Sequence, residues 1–337
     1  RRSSAIEELI VHTGQHFDAN MSEVFFGELE ISKPAYNLGI SGGSHGQMTG
    51  EMLRRLEETM ITEKPDGVLV YGDTNSTLAG ALAASKLHIP TAHVEAGLRS
   101  FNRKMPEEVN RVLTDHCAEW LFTPTVVATE NLKREGISAE RIIEVGDVML
   151  DVASYYRSRV SSSHPLLTSL KVDHQPFVLA TVHRQENTDD PQRLRVIFTA
   201  LSLIAQELPV ILPLHPRTKK RLAEHDLTSL TSSLLITDPL GYMEMVACES
   251  SAAVVVTDSG GVQKEAFFHK TPCVTLRDET EWLELVESGW NRLISPQDPH
   301  EILKQVRAAI GTRGAPIHPY GRGESAQHIL DKLTNEL

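Results

Sequence analysis

The chain has 337 residues, 33 Lys+Arg against 45 Asp+Glu, a formal net charge of −12 and 40% hydrophobic content, which suits a globular protein of two domains. The acidic balance, with pI near 5.7, excludes an extended basic surface for nucleic acid or anionic lipid, so any anionic ligand must be met by a local basic pocket. Cys117, Cys248 and Cys273 are widely spaced and form no metal-ligand or disulfide framework, which points to buried thiols in a reducing, cytoplasmic setting. No apolar run approaches the ~18 residues of a membrane span. The opening Arg1-Arg2-Ser3-Ser4 leads into Ala5-Ile6-Glu7-Glu8 rather than an apolar signal core.

In chain order, the first half offers strands at Leu9–Thr13, Gly67–Tyr71, Pro90–Val94, Trp120–Thr123 and Ile143–Val145. Helical spacing of apolar residues marks Gln47–Thr62 and Thr77–Leu87. After Gly146-Asp147 a helix is predicted to about Ser163, leading into the polar stretch Ser161–Pro165, where a domain junction is placed. The second half repeats the pattern with strands at Phe177–Val182, Val210–Leu214, Leu234–Thr237, Ala253–Thr257 and Cys273–Leu276. A Pro- and Gly-rich stretch, Pro316–Gly323, precedes a closing helix, Ser325–Glu336, positioned to return to the first domain. The expected fold is α/β, two domains each built on a parallel sheet of β-α units and facing across a cleft. Their expected bounds are 1–148 with 320–337, and 149–319.

Open parallel sheets bind ligands beyond the carboxyl ends of their strands. In the first domain those positions hold Gln15-His16, Asp73-Thr74-Asn75-Ser76-Thr77 and Glu95-Ala96-Gly97-Leu98-Arg99. In the second they hold His183-Arg184-Gln185-Glu186, His215-Pro216-Arg217 and Thr257 through Glu265. Ser259-Gly260-Gly261 is the sharpest signal, because small residues between a buried strand and a helix let backbone N–H groups approach a phosphate. Glu265, about one turn further, could reach a ribose or sugar hydroxyl. The same glycines could simply make a tight turn, and the absence of G-x-G-x-x-G argues against a nicotinamide dinucleotide. Arg184, Arg217 and Arg277 follow or end strands where a guanidinium can pair with phosphate oxygens, or with surface carboxylates. No zinc motif is present: His12 and His16 run from a strand into a turn, and H-E-x-x-H is absent. Asp73, Glu95 and Glu107 form an acidic set. Glu107 lies in Met105-Pro106-Glu107-Glu108-Val109-Asn110-Arg111, where Pro106 opens a helix and acidic residues also serve as dipole partners. Glu95 directly follows an apolar strand, where a carboxylate tends to be desolvated and suited to acid/base work.

Together, G-D-T-N-S-T at 72–77, H-V-E-A-G-L-R at 93–99, M-P-E-E-x-N-R at 105–111, H-R-x-E at 183–186 and D-S-G-G-x-Q-x-E at 258–265 resemble the non-hydrolysing UDP-N-acetylglucosamine 2-epimerases. The similarity extends to Pro319-Tyr320-Gly321 before the last helix. The resemblance implies that both domains are Rossmann-like, in the two-Rossmann fold of B-type glycosyltransferases, and implies a homodimer, a UDP-sugar substrate, and no cofactor or metal. It implies Asp73, Glu95, Glu107 and His183 as the catalytic set. It further implies Gln15, Arg184, His215, Ser259, Gly260, Gly261, Glu265 and Arg277 around UDP. The expected reaction is elimination of UDP to a glycal and re-addition after protonation at C2 from the other face; a B-type glycosyltransferase or a hydrolysing epimerase is the alternative. Compared with that family, the chain reads as starting inside the helix after the first strand and its Gly- and Arg-containing loop, from which weak activity is expected. The segment Gln15–Asn20 differs from that of members using a second UDP-N-acetylglucosamine as activator. Trp282 stands where many members have Arg followed by Pro. With the first-loop segment, this is more similar to the branch acting on UDP-2,3-diacetamido-2,3-dideoxyglucuronate. The stretch Arg99–Lys104 could then place a cation near a C6 carboxylate.

Overall fold

Short runs of Val, Ile, Leu and Thr form the strands, and every pairing between described strands is parallel. Strands such as Thr91–Val94 and Val254–Thr257 are buried along their whole length, as parallel strands covered on both faces must be. The computed structural model describes residues 6–15, 23–161 and 164–337. The chain divides into two units, Arg1–Asp151 with His318–Leu337, and Val152–Ile317. The opening residues 1–5 and the His16–Asn20 part of the first-loop segment, on which two expectations rest, lie outside the described residues.

In the first unit, β1 (Val11–His12) pairs with β2 (Tyr36–Asn37), and β3 (Val68–Tyr71), β4 (Thr91–Val94), β5 (Trp120–Thr123) and β6 (Ile142–Glu144) form one sheet in that order. Helix His45–Glu63 starts at a capping box of Ser44 and Gln47 and stops at Lys64, which is left-handed. Helix Asn75–Lys86 starts at a second box, Thr74 and Thr77. Its Ala79, Ala81, Ala83 and Ala84 are buried, and a Cβ on its Gly80 would meet the Val70 side chain at 3.1 Å; small residues let this helix lie close to the sheet. The closing helix Ser325–Glu336 places Ile329 and Leu333 against Ala92, Val94, Trp120 and Phe122. Its first amides donate to Asp151 at 3.2 and 2.7 Å.

The second unit has one six-stranded sheet of β7 (Val178–Thr181), β8 (Val210–Pro213), β9 (Leu235–Thr237), β10 (Val254–Thr257), β11 (Cys273–Leu276) and β12 (Asn291–Ile294). The spatial order is β9-β8-β7-β10-β11-β12, the doubly wound order whose switch point lies between β7 and β10. One core covers the face presenting Val178, Ala180, Val254 and Val256, and a second covers the face presenting Leu179, Ile211 and Val255. Helix Pro191–Ile204 buries Leu194, Ile197, Phe198 and Leu201 completely. At helical spacing they form one stripe, and each contributes roughly 1.5–3 kcal/mol.

Two sequence expectations change in extent. The strand predicted over Leu9–Thr13 is ladder-paired only at Val11–His12, and the helix predicted to about Ser163 spans Val148–Arg157. Two strands escaped notice. The Tyr36–Asn37 strand has only two residues, and Asn-Arg-Leu-Ile at 291–294 is a sheet edge with polar residues breaking its apolar run. No described helix is long and apolar enough to cross a membrane.

Candidate active site

The switch point of the second unit is organised by Asp258. This residue directly follows β10 and is fully buried, and its carboxylate accepts the His183 amide at 3.0 and 3.1 Å, the Arg184 amide at 3.1 Å and the Asn187 side chain at 3.0 Å. The exit of β7 is thereby fixed against the exit of β10. Next to it, helix Gly260–Phe268 begins at Ser259, whose side chain makes no capping bond to the helix start. The first-turn amides there are donors of the kind a phosphate accepts from. Gln263 braces this start from beneath. It is fully buried, donates to the Ser259 carbonyl at 3.1 Å, and accepts from Thr280 and Asn291 at 2.7 and 2.9 Å.

Cations converge on the same helix start. Arg277, directly after β11, is 4% exposed; it donates to Glu281 at 2.8 and 3.2 Å and lies 3.5 Å from Glu186. Its Nε is buried with no hydrogen-bond partner, which is costly unless a ligand or water completes it. Arg184 lies 3.7 Å from Glu281, and its Nη2 would be 3.6 Å from a Cβ on Gly260. Burial pushes the Glu281 carboxyl up, but the Arg277 and Arg184 interactions outweigh it and hold the group below its usual value. Arg217 is instead spent on Asp189, its Nη2 donating to both carboxylate oxygens at 2.8 and 2.7 Å. The rings of His183 and His215 lie 5.8 Å apart. His215 Nδ1 accepts the Arg217 amide at 3.1 Å, which leaves the ring proton on Nε2. Burial, with His183 and Arg217 adding to it, lowers the His215 pKa. Glu265 is half-buried in the second turn of the helix and raises the pKa of Tyr242, an effect second only to burial.

In the first unit the candidate residues follow β3 and β4. Asp73 precedes the capped start of helix Asn75–Lys86 and meets Arg111 at 2.5 Å. Its carbonyl accepts from Asn110 at 3.0 Å; Asn110 also donates to Asn75 at 3.1 Å, and Asn75 meets His45 Nδ1 at 3.2 Å. Glu95 has φ +69°, a left-handed backbone that costs a non-glycine residue of order 1 kcal/mol or more. Its loop is over-determined. A Cβ on Gly97 would sit 2.3 Å from the Ala128 carbonyl, and the Gly97 amide donates to buried Asp115 at 3.1 Å. Asp115 also binds His93 and Arg99, each at 2.7 Å. Gln15 accepts from the Ser76 amide and hydroxyl at 3.1 and 3.0 Å, which attaches the exit of β1 to the start of helix Asn75–Lys86.

Of the predicted carboxylates, Glu107 is exposed in the first turn of helix Pro106–Cys117. Its neighbour Glu108, 1% exposed, accepts from the Ser100 amide and hydroxyl, the Phe101 amide and Arg111. Burial opposes its charge, but these donors hold its pKa below the ordinary value. Glu108 thus clamps the loop that Glu107 opens beyond. The expectation that a cation of Arg99–Lys104 faces the sugar fails for Arg99: its side chain is 1% exposed, and its guanidinium is consumed by Asp115 and Glu135, both at 2.7 Å. Arg103 and Lys104 are exposed. Arg111 and Asp258 were legible only as members of motifs, because Asp73 on the one side and His183, Arg184 and Asn187 on the other are distant in sequence; Glu281, four residues after its partner Arg277, was not singled out. A separate cavity of about 340 Å³, lined by Leu170, Gln206, Leu208 and Ser233 among others, lies before β8 and β9 begin, away from these strand ends. Among the described residues no cluster fits a metal ion.

Residues 1–334, which include both groups of strand-end residues, match the UDP-N-acetylglucosamine 2-epimerase family. The chain belongs to that family. It is 52% identical over 332 residues to a UDP-2,3-diacetamido-2,3-dideoxy-D-glucuronate 2-epimerase of Pseudomonas aeruginosa, covering 97% of this chain and 91% of that protein. To the UDP-N-acetylglucosamine 2-epimerase of Methanocaldococcus jannaschii it is 44% identical over 334 residues, covering 96% and 90%. The crystal structure of the Methanocaldococcus jannaschii epimerase in complex with UDP-GlcNAc and UDP matches with a TM-score of 0.85 at 43% identity, over 98% of this chain and 92% of that one. The Neisseria meningitidis epimerase bound to UDP-GlcNAc matches with a TM-score of 0.84 at 28% identity, over 99% and 94%. The two-Rossmann architecture of the B type is therefore that of this epimerase family.

Proposed function

We propose that the protein epimerises a UDP-2-acetamido sugar at C2 without net hydrolysis. The observation that carries this reading is the switch point of the second unit. There the D-S-G-G-x-Q-x-E residues present an open helix start beside Arg184 and Arg277, in a family whose solved members include complexes with UDP-GlcNAc and UDP. Ser259, Gly260, Gly261, Arg184 and Arg277 would hold the diphosphate, Glu265 the ribose, and His215 and Gln15 further parts of the nucleotide. The C2 proton of such a sugar is not acidic until the C1–O bond loosens. The bonding pair of that C–O bond leaves with UDP, while the C2–H pair closes the C1=C2 bond of a glycal and the proton passes to an enzyme base. Protonation of C2 from the opposite face and return of UDP to C1 give the epimer. Acid/base groups on two faces and firm retention of the leaving group are the requirements. Asp73, Glu95, Glu107 and His183 are the groups assigned to proton transfer, with the strained Glu95 backbone supporting a functional role for that loop.

The substrate favoured is the diacetamido uronate, because the identity to the Pseudomonas enzyme is 52% against 44% to the Methanocaldococcus one. With Arg99 committed, Arg103 and Lys104 are the loop cations left for a C6 carboxylate. Assembly as a homodimer belongs to the same proposal, as does a cytoplasmic setting, supported by three free cysteines. Incubation with each UDP-sugar in deuterated water tests the reading: both epimers should acquire deuterium at C2 while free UDP stays far below one equivalent. Stoichiometric UDP release would show hydrolysis, and absence of exchange with every UDP-2-acetamido sugar would refute the proposal. Higher kcat/KM for UDP-GlcNAc than for the uronate, unaffected by Arg103→Ala, would reject the uronate.

A further inference from the structure

The side chain nearest to acting as an anion at the Gly260 helix start is one of the protein's own. Glu281 lies in the loop after β11, and both its oxygens accept from Arg277, at 2.8 and 3.2 Å. Oε1 lies 3.7 Å from Arg184, and Oε2 would be 3.9 Å from a Cβ on Gly260. The next residue, Trp282, pins the loop there by donating from Nε1 to the Gly260 carbonyl at 3.0 Å, and Lys264 lies 4.6 Å over its ring. A carboxylate bridging two guanidiniums beside helix amides has the contacts of one phosphate group. Glu281 and Glu186 together balance Arg277 and Arg184 in charge. A diphosphate arriving at this site therefore meets neutralised cations, and gains full use of them only by taking the place of Glu281. The Glu281 side chain is 42% exposed, so it has water to turn into. By contrast, Asp258 is buried and held by backbone amides, and cannot move aside in this way.

We propose that Glu281 is a resident carboxylate ligand of the diphosphate site, displaced from Arg277 and Arg184 by the nucleotide's β-phosphate and returning whenever that phosphate leaves. The proposal rests on the reading that the second unit binds UDP. It assigns Glu281 a role in setting affinity rather than in proton transfer: the competition lowers the hold on UDP, so that nucleotide sugar can be exchanged after each turnover. The residue acts through the two arginines.

The test is calorimetric titration of UDP and UMP into the full chain and its Glu281→Gln variant, with Glu281→Ala as a second variant in case the amide perturbs the loop. Removing the carboxylate should tighten UDP about tenfold, the scale of one partly exposed charge-assisted contact, while UMP, which lacks the β-phosphate, changes less than about twofold. KM for the UDP-sugar should fall with the UDP constant. Unchanged or weaker UDP binding in both variants would overturn the proposal and make Glu281 a residue that holds Arg277 in place. Equal tightening of UMP and UDP would overturn it too, since the effect would not belong to the β-phosphate. Failure of the unsubstituted protein to bind UDP at all would instead remove the functional reading on which the proposal stands, and the proposal with it.

Discussion

Replacing Asp258 by Asn probes whether the β7 exit is held by charge. Three donors, the His183 and Arg184 amides and the Asn187 side chain, converge on a carboxylate with no solvent exposure. Hydrogen bonds to a charged acceptor contribute about 1.5–3 kcal/mol each, and neutral ones about 0.5–1.5 kcal/mol. An asparagine with its oxygen at the Oδ2 position keeps all three donors but loses the charge assistance on each, and turns its NH2 toward the His183 amide, which the wild-type Oδ1 accepts at 3.0 Å. The expected cost is about 3 kcal/mol, the sum of about 1 kcal/mol for each donor. At about 2–4 °C per kcal/mol for a unit of this size, the second unit should melt about 6–12 °C lower. Scanning calorimetry reads the shift, and titration with UDP should show weakened binding, because Arg184 moves with its amide. A variant that melts within about 2 °C of wild type and binds UDP normally would refute the argument.

Other substitutions separate chemistry from scaffolding. Arg99→Ala strips a fully buried ion pair and leaves Asp115 with only His93 and an amide; a loss of about 3–5 kcal/mol in denaturant unfolding is expected, and a loss under about 1 kcal/mol would mean that water replaces the guanidinium. At φ +69°, Glu95→Gly should be more stable than Glu95→Ala by about 1 kcal/mol, with both inactive; equal stability would remove the strain argument. Glu95→Gln, Glu107→Gln and Asp73→Asn should each lower kcat by about 10²–10⁴ with melting temperatures close to wild type, and near-normal turnover in all three would reject the acid/base assignment. Burial, with Arg157 adding to it, pushes His269 down to about 4. Because the unfolded chain takes up that proton near pH 6.5, stability should fall by about 3 kcal/mol as pH drops through this window. Glu249, 3.6 Å away, is raised by burial and by Glu265, so the folded state keeps its proton longer and stability should decline as pH rises above the ordinary carboxylate range. Melting curves from about pH 4 to 8 should flatten on the acid side in His269→Leu and on the alkaline side in Glu249→Gln; unchanged profiles would show that neither group is desolvated.

The alternation of apolar runs with helical spacing placed most strands and the parallel character of the sheets from sequence alone, because those signals are local: a buried parallel strand must be apolar along its whole length, and a helix start needs its capping residues beside it. The same locality put Asp73, Glu95, His183 and Asp258 just beyond strand ends, where such sheets bind ligands. What each charged residue does there was decided by partners remote in sequence. Glu107 and Glu108 are neighbours of one type, yet a rotation of about 100° per residue around the helix leaves one exposed and buries the other as a clamp on the Ser100 loop. Arg99, Arg217 and Arg277 all follow strand ends. Asp115 and Glu135 take the first, Asp189 the second and Glu281 the third, whose Nε alone stays buried without a hydrogen-bond partner. A guanidinium's availability depends on which carboxylates the folded chain brings within about 3 Å of it. Charge and spacing along the sequence say nothing of that distance, and only tertiary packing sets it.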